Sequence, residues 1–278
     1  MVDAQPNLHR RRLGMALRSL RKEAGLNLGD AAEKLNLSGS PALSKIENGK
    51  QRVQPISVPG FLEAYECTDT ARGAEIRALA TLAASPKRTS LLTRYRDTVR
   101  DNPFAAYVHL EELARRAEVF HLIVPGLLQT EEYAHAMVSD SRKWSAQREI
   151  RNFVELRMMR QEALTRSDPL RLWCVIDEAA LRRQVGGPQV MRNQLVRLVE
   201  AAEELSHVTL QVLPFAKGSH AGVDGAFTLL HFDAGPPVAV VEPMTTALYL
   251  EEEGDIGRYE TSFDHLQADA LDPERSLV

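Results

Sequence analysis

The sequence has few of the residues that staple a small fold or hold a metal cluster. Its 278 residues include only two cysteines, Cys67 and Cys174, far apart and each without a nearby partner. That excludes a disulfide framework and a cysteine-based zinc site. No run of about 18 apolar residues is present, so no membrane-spanning helix is expected. The opening MVDAQPNLHRRR has no apolar core of the kind a secretory signal needs. A cytoplasmic location, at the nucleoid, is the expectation. HExxH, a paired HxH and a nucleophile elbow are all missing. The chain is therefore expected not to be an enzyme and to carry no metal or cofactor. Hydrophobic residues at 44% and charged residues at 26% are those of an ordinary soluble protein.

An excess of either charge is also missing from the whole, but not from its parts. The formal net charge is −4. Residues 1–55 hold ten basic and five acidic residues, a net of +5. Residues 245–278 hold two basic and nine acidic residues, a net of −7, and the stretch between is close to neutral at −2. A basic head on a neutral body points to an anionic partner for the head.

The head reads as helices. Leu13, Ala16, Leu17, Leu20 and Ala24 recur at three- and four-residue steps, and Gly25 closes that helix. Asn27 is placed to cap a second helix, 28–35, which carries Ala31, Ala32 and Leu35 inward. After a turn, Ser40 is expected to cap a third helix with Pro41 at its first position, Leu43 and Ile46 inward and Asn48-Gly49 as its stop. Three short helices, the last two tightly joined, have the layout of a helix-turn-helix. Phe61, Leu62 and Tyr65 are expected to cover the open side of this core, with a further helix beginning at 68–70. The polar stretch SPKRTS, 85–90, marks a boundary between a domain of residues 1–84 and one of residues 90–278.

The second domain reads as α+β, giving a multi-domain chain with an all-α N-terminal part. Helices are expected over 105–120, from Thr130 onward, over 146–165 and over 189–205. LRLWCVI, VTLQVLP, AFTLLHF and VAVVE have the β-branched and aromatic texture of strands, which predicts one sheet of four or five strands.

Candidate contacts follow from this layout. A helix-turn-helix lays its last helix in the major groove. Ser40, Ala42, Ser44 and Lys45 are the outward positions of that helix, suited to base edges. Asn27, Asn48, Lys50 and Arg52 flank helix ends and suit phosphates, and Arg10, Arg11 and Arg12 form a basic arm before the first helix. In the second domain, GSHAGVDGAF sets three glycines around His220 and Asp224. His220, Asp224 and Glu242 make one polar set, and Gln129, Arg157, Arg160 and Gln161 can add an anion-binding face. The blander alternatives are a locally hydrogen-bonded hairpin loop and ordinary salt bridges. VPGLLQT reads as a packing turn, and Trp144 and Trp173 as core or interface.

Residues 12–52, notably LRSLRKEAGLN and LSKIENGK, resemble the XRE (Cro/repressor-like) helix-turn-helix family. The resemblance implies a structural ion pair between Arg21 and Glu47, tying the first helix to the third. The sequence departs from the family at Leu28, where a phosphate-binding Gln is usual, and in LNLSGSPALS, one residue longer than the usual spacing. VPGLLQTEEYA, RMMRQ, LRRQVGGPQVMRNQL and VTLQVLPFAKGSHAGVDGAFTLLHF, with the VAVVE after them, resemble the DUF5753 group of actinobacterial regulators, which includes WhiJ-like and Scr-type proteins. That resemblance implies a regulator of development or antibiotic production, with a small DUF397-type protein as partner. One such short helix contacts too few bases for useful specificity, so the expectation is a homodimer on double-stranded DNA whose C-terminal domain responds to a small-molecule effector or to that protein. An antitoxin-like protein that neutralises its small partner is the alternative.

Overall fold

The computed structural model describes residues 8–84, 95, 104–140, 146–233, 235–242 and 247–277. The boundary expected at 85–90, and Trp144, lie outside the described residues. The chain divides into two compact units, one holding residues 1–88 with the short segment 232–236, the other holding the rest.

The first unit is helical. α1 spans Leu8–Glu23, α2 Leu28–Lys34, α3 Ser40–Glu47, α4 Val58–Ala64 and α5 Thr70–Ala84. Its core joins Leu13, Leu17 and Leu20 to Ala31, Ala32, Leu43 and Ile46, closed by Phe61, Leu62 and Tyr65. Ile76, Leu79, Ala80 and Ala83 complete it from α5. Asn27 caps α2, its Oδ1 accepting from the Gly29 and Asp30 amides at 2.7 and 3.0 Å. α3 differs from expectation by one residue. Gly39, at φ +113°, takes the capping position, and Ser40 is the first helical residue. That dihedral is open to glycine and strained for other residues. The longer turn is thus accommodated by backbone at Gly39, not by a serine cap.

α1 and α3 cross in contact. A β-carbon on Gly14 would lie 2.6 Å from the Ile46 carbonyl oxygen, well inside van der Waals contact. Only the absence of a side chain lets the two backbones meet there.

The second unit is α+β. Its described elements run α6 Phe104–Leu113, β1 Arg116–His121, α7 Glu131–Asp140, α8 Gln147–Arg160, β2 Arg171–Asp177, α9 Glu178–Arg182, α10 Pro188–Glu204, β3 Val208–Leu213, β4 Phe227–His231, β5 Val238–Val241, β6 Leu248–Leu250 and α11 Glu253–Asp269. Among the described residues the sheet has six strands in the order β3-β2-β1-β4-β5-β6, not four or five. β1, β2 and β3 are parallel, whereas β4, β5 and β6 each pair antiparallel with their neighbour.

The helix expected over 105–120 is a correction. It ends at Leu113, and Arg116–His121 is a strand at the centre of the sheet. Arg, Ala and Glu are helix formers locally, but pairing with β2 on one side and β4 on the other decides the matter. On one face Phe120, Val175, Leu213, Phe227, Leu229 and Ala239 pack against Ile256, Phe263 and Leu266 of α11. The alternate residues of β1, including His121, point to the other face.

Candidate nucleic-acid interface and C-terminal polar cluster

The outer surface of α3 carries the candidate base contacts. Ser40 and Lys45 are exposed, and Ala42 and Ser44 are partly so. Lys45 and Lys50 take part in no ion pair among the described residues, so both ammonium groups can reach an anion. An α-helix with its side chains is about 10–12 Å across, which fits the major groove at about 12 Å wide.

Four other candidates have intramolecular partners. Asn48 Nδ2 donates to the Ser44 carbonyl at 2.7 Å, fastening the end of α3. Asn27 holds the cap of α2, and its Nδ2 donates to Asp30 Oδ2 at 2.6 Å. Arg52 is exposed and donates to the Ala84 carbonyl at 2.7 Å. Arg12 is 3% exposed, with its guanidinium over the Phe232 ring of the same unit. Arg11, next to it, is exposed.

Arg21 and Glu47 set the angle of α3 from beneath. Arg21 Nε donates to Glu47 Oε1 at 2.6 Å and Nη2 to Oε2 at 3.1 Å. Arg21 Nη1 also donates to the Leu26 carbonyl at 2.7 Å, so one guanidinium ties α1, the α1–α2 turn and α3. Both residues are buried. Beside them, burial and the Glu47 charge push the Tyr65 hydroxyl up to about 12.

In the second unit the structure brings together one part of the expected polar set. Arg157 Nη1 donates to Gln129 Oε1 at 2.8 Å, and Gln129 Nε2 donates to the Val124 carbonyl at 2.7 Å. Gln161 Nε2 donates to the Gln129 carbonyl at 2.6 Å. VPGLLQT supplies this turn and buries Leu127 and Leu128 beneath it. Arg160, one turn on, is held on both sides by Glu111, through Nε to Oε1 and Nη2 to Oε2, each at 2.8 Å. Glu242 is exposed, and its charge is felt at Arg157 and Arg160.

His220 and Asp224 fall elsewhere. His220 lies edge-on to Phe120 at 5.6 Å, on the α11 face, and its Nδ1 accepts from the Gly222 amide at 3.1 Å. Asp224 is exposed on the same loop. Trp173, expected as core or interface, is exposed and not in the core, its Nε1 donating to Gln211 Oε1 at 2.8 Å.

Sequence reasoning missed His121 and Glu111. Both sat inside the helix or loop drawn over β1, so no pattern singled them out. His121 Nε2 lies 3.5 Å from Thr228 Oγ1. Burial, and then the charges of Arg157 and Arg160, lower the His121 imidazole to about 4, which keeps it neutral at physiological pH. Burial, together with neighbouring Arg160, also lowers Arg157 to about 10, although it stays charged.

A basic, helical head that presents α3 on a buried ion pair is a helix-turn-helix, and residues 12–83 match the family described as Helix-turn-helix domain. That makes the chain a DNA-binding transcription regulator. Residues 104–278, more than half of the chain, match the family described as Domain of unknown function (DUF5753), and the chain belongs to that family. No curated protein and no solved structure matches it. Among the described residues, no helix is long and apolar enough to cross a membrane.

Proposed function

We propose that the head reads a specific DNA sequence through α3, as a homodimer, and that the second domain binds a small effector or protein that changes this reading. The observation that carries the proposal is the outer face of α3, where Ser40, Ser44 and Lys45 stand clear of the core that fixes the helix. Ser40, Ser44 and Lys45 offer donors to base edges, and the Ala42 methyl fits a thymine methyl. Lys50, with Arg11 and Arg52, adds charge for phosphates. A single short helix touches few bases, so useful discrimination calls for two heads on two half-sites. The second domain serves as a binding domain and not as a catalyst. Its effector acts by differing in affinity for the DNA-competent and DNA-incompetent arrangements.

The test is a DNA titration of the full chain against the duplex it selects from a random library. Lys45→Ala is expected to weaken binding to the selected duplex by about 1–3 kcal/mol while leaving binding to a scrambled duplex nearly unchanged. Equal loss on both duplexes would remove base reading from Lys45. Sedimentation equilibrium of the same sample is expected to report a dimer on DNA.

A further inference from the structure

The sheet changes direction at its centre. From β1 the chain steps outward to β2 and β3, then returns to place β4 on the other side of β1. In open α/β sheets ligands bind beyond the carboxyl end of parallel strands, of which β1 is the innermost in this sheet. Here that end is His121, with Thr228 of β4 beside it and Arg157 of α8 close enough to lower its proton affinity.

The two arginines of α8 differ in what they hold. Arg160 has a bidentate carboxylate, Glu111. Arg157 has a neutral amide, Gln129, and among the described residues no carboxylate within ion-pair distance. Its Nε is shut off from solvent and has no acceptor among the described residues, although the side chain as a whole keeps part of its surface open. A half-buried cation without a matched anion is costly, and an enclosed Nε with no acceptor adds to that cost. Gln129, whose side chain donates to the Val124 carbonyl and whose own carbonyl accepts from Gln161, holds the guanidinium in place. A planar fork held this way matches the paired oxygens of a carboxylate or a phosphate.

Resting on the reading of the second domain as an effector-binding domain, we propose that its effector is a small anion. Its carboxylate or phosphoryl oxygens engage the Nε edge of Arg157 near the carboxyl end of β1. Neutral His121 and Thr228 offer the hydrogen-bonding groups beside it.

The direct test follows the Arg157 Nε–Hε resonance in the nitrogen-15-labelled full chain during titrations with succinate, with inorganic phosphate and with chloride at matched ionic strength. A saturable shift with succinate assigns a carboxylate ligand, and one with phosphate a phosphorylated ligand. Arg157→Lys keeps the charge but loses the fork, and is expected to weaken the responding anion by about 10- to 100-fold, measured by calorimetry. No shift with either anion, or a shift that chloride reproduces, overturns the inference. Because DNA binding is measured separately on the same sample, that failure would leave the reading of α3 standing.

Discussion

At the scale of single residues, the head depends on three that touch no DNA. Gly14 permits the α1–α3 crossing, so Gly14→Ala must push the helices apart against the Ile46 carbonyl. The expected loss is about 1–3 kcal/mol of head stability, read by thermal unfolding. Arg21 and Glu47 are buried and matched. Glu47→Gln leaves the guanidinium without its counter-charge, and the expected cost is about 3–5 kcal/mol, read by denaturant unfolding. A change under about 1 kcal/mol would mean that solvent reaches the pair. Lys50 belongs to a different class. Lys50→Ala is expected to leave sequence preference intact and to reduce the slope of log affinity against log salt by about 1.

At the scale of elements, β1 connects stability to pH. His121, at its end, is held neutral by burial and two arginines, with its imidazole lowered from 6.5 to about 4. The unfolded chain then binds a proton that the folded one refuses. Its stabilising contribution is complete above the unfolded value and is lost as pH falls from about 6.5 toward 4. The loss amounts to at most about 3 kcal/mol. Replacing His121→Gln is expected to flatten the unfolding profile over that window, and an unchanged slope would assign it to other groups.

The same strand shows what was legible in the sequence. α2 and α10 follow from apolar periodicity within a residue or so of their observed ends, and β2 to β5 from β-branched runs, whereas α1 begins at Leu8, so Arg10, Arg11 and Arg12 lie within the first helix and not in an arm before it. β1 was not legible, because RAEVF has no strand pattern of its own and takes its form from both neighbours. β6 is only three residues long, and the Ile256, Phe263 and Leu266 stripe of α11 lies in a segment whose acidic charge masks its apolar face. The polar candidates were legible by type but not by grouping. Arg157, Gln129 and Gln161 meet, whereas His220 belongs to the opposite face of the sheet. Which face a loop joins depends on strand order, and no local pattern carries it.

At the scale of the whole molecule, the small net charge of −4 conceals a division of labour. The basic first segment coincides with the helix-turn-helix, and the long remainder forms a separate compact unit of mixed sheet and helices. Reading by α3 is the claim on which the rest depends. It is tested most directly by selecting duplexes from a random library with the wild-type chain and with Lys45→Ala, and sequencing the bound fraction. The account predicts a defined motif for the wild type and a relaxed or altered preference at one or more positions for the variant. The same motif, enriched equally by both chains, or no motif at all from the wild type, would contradict it.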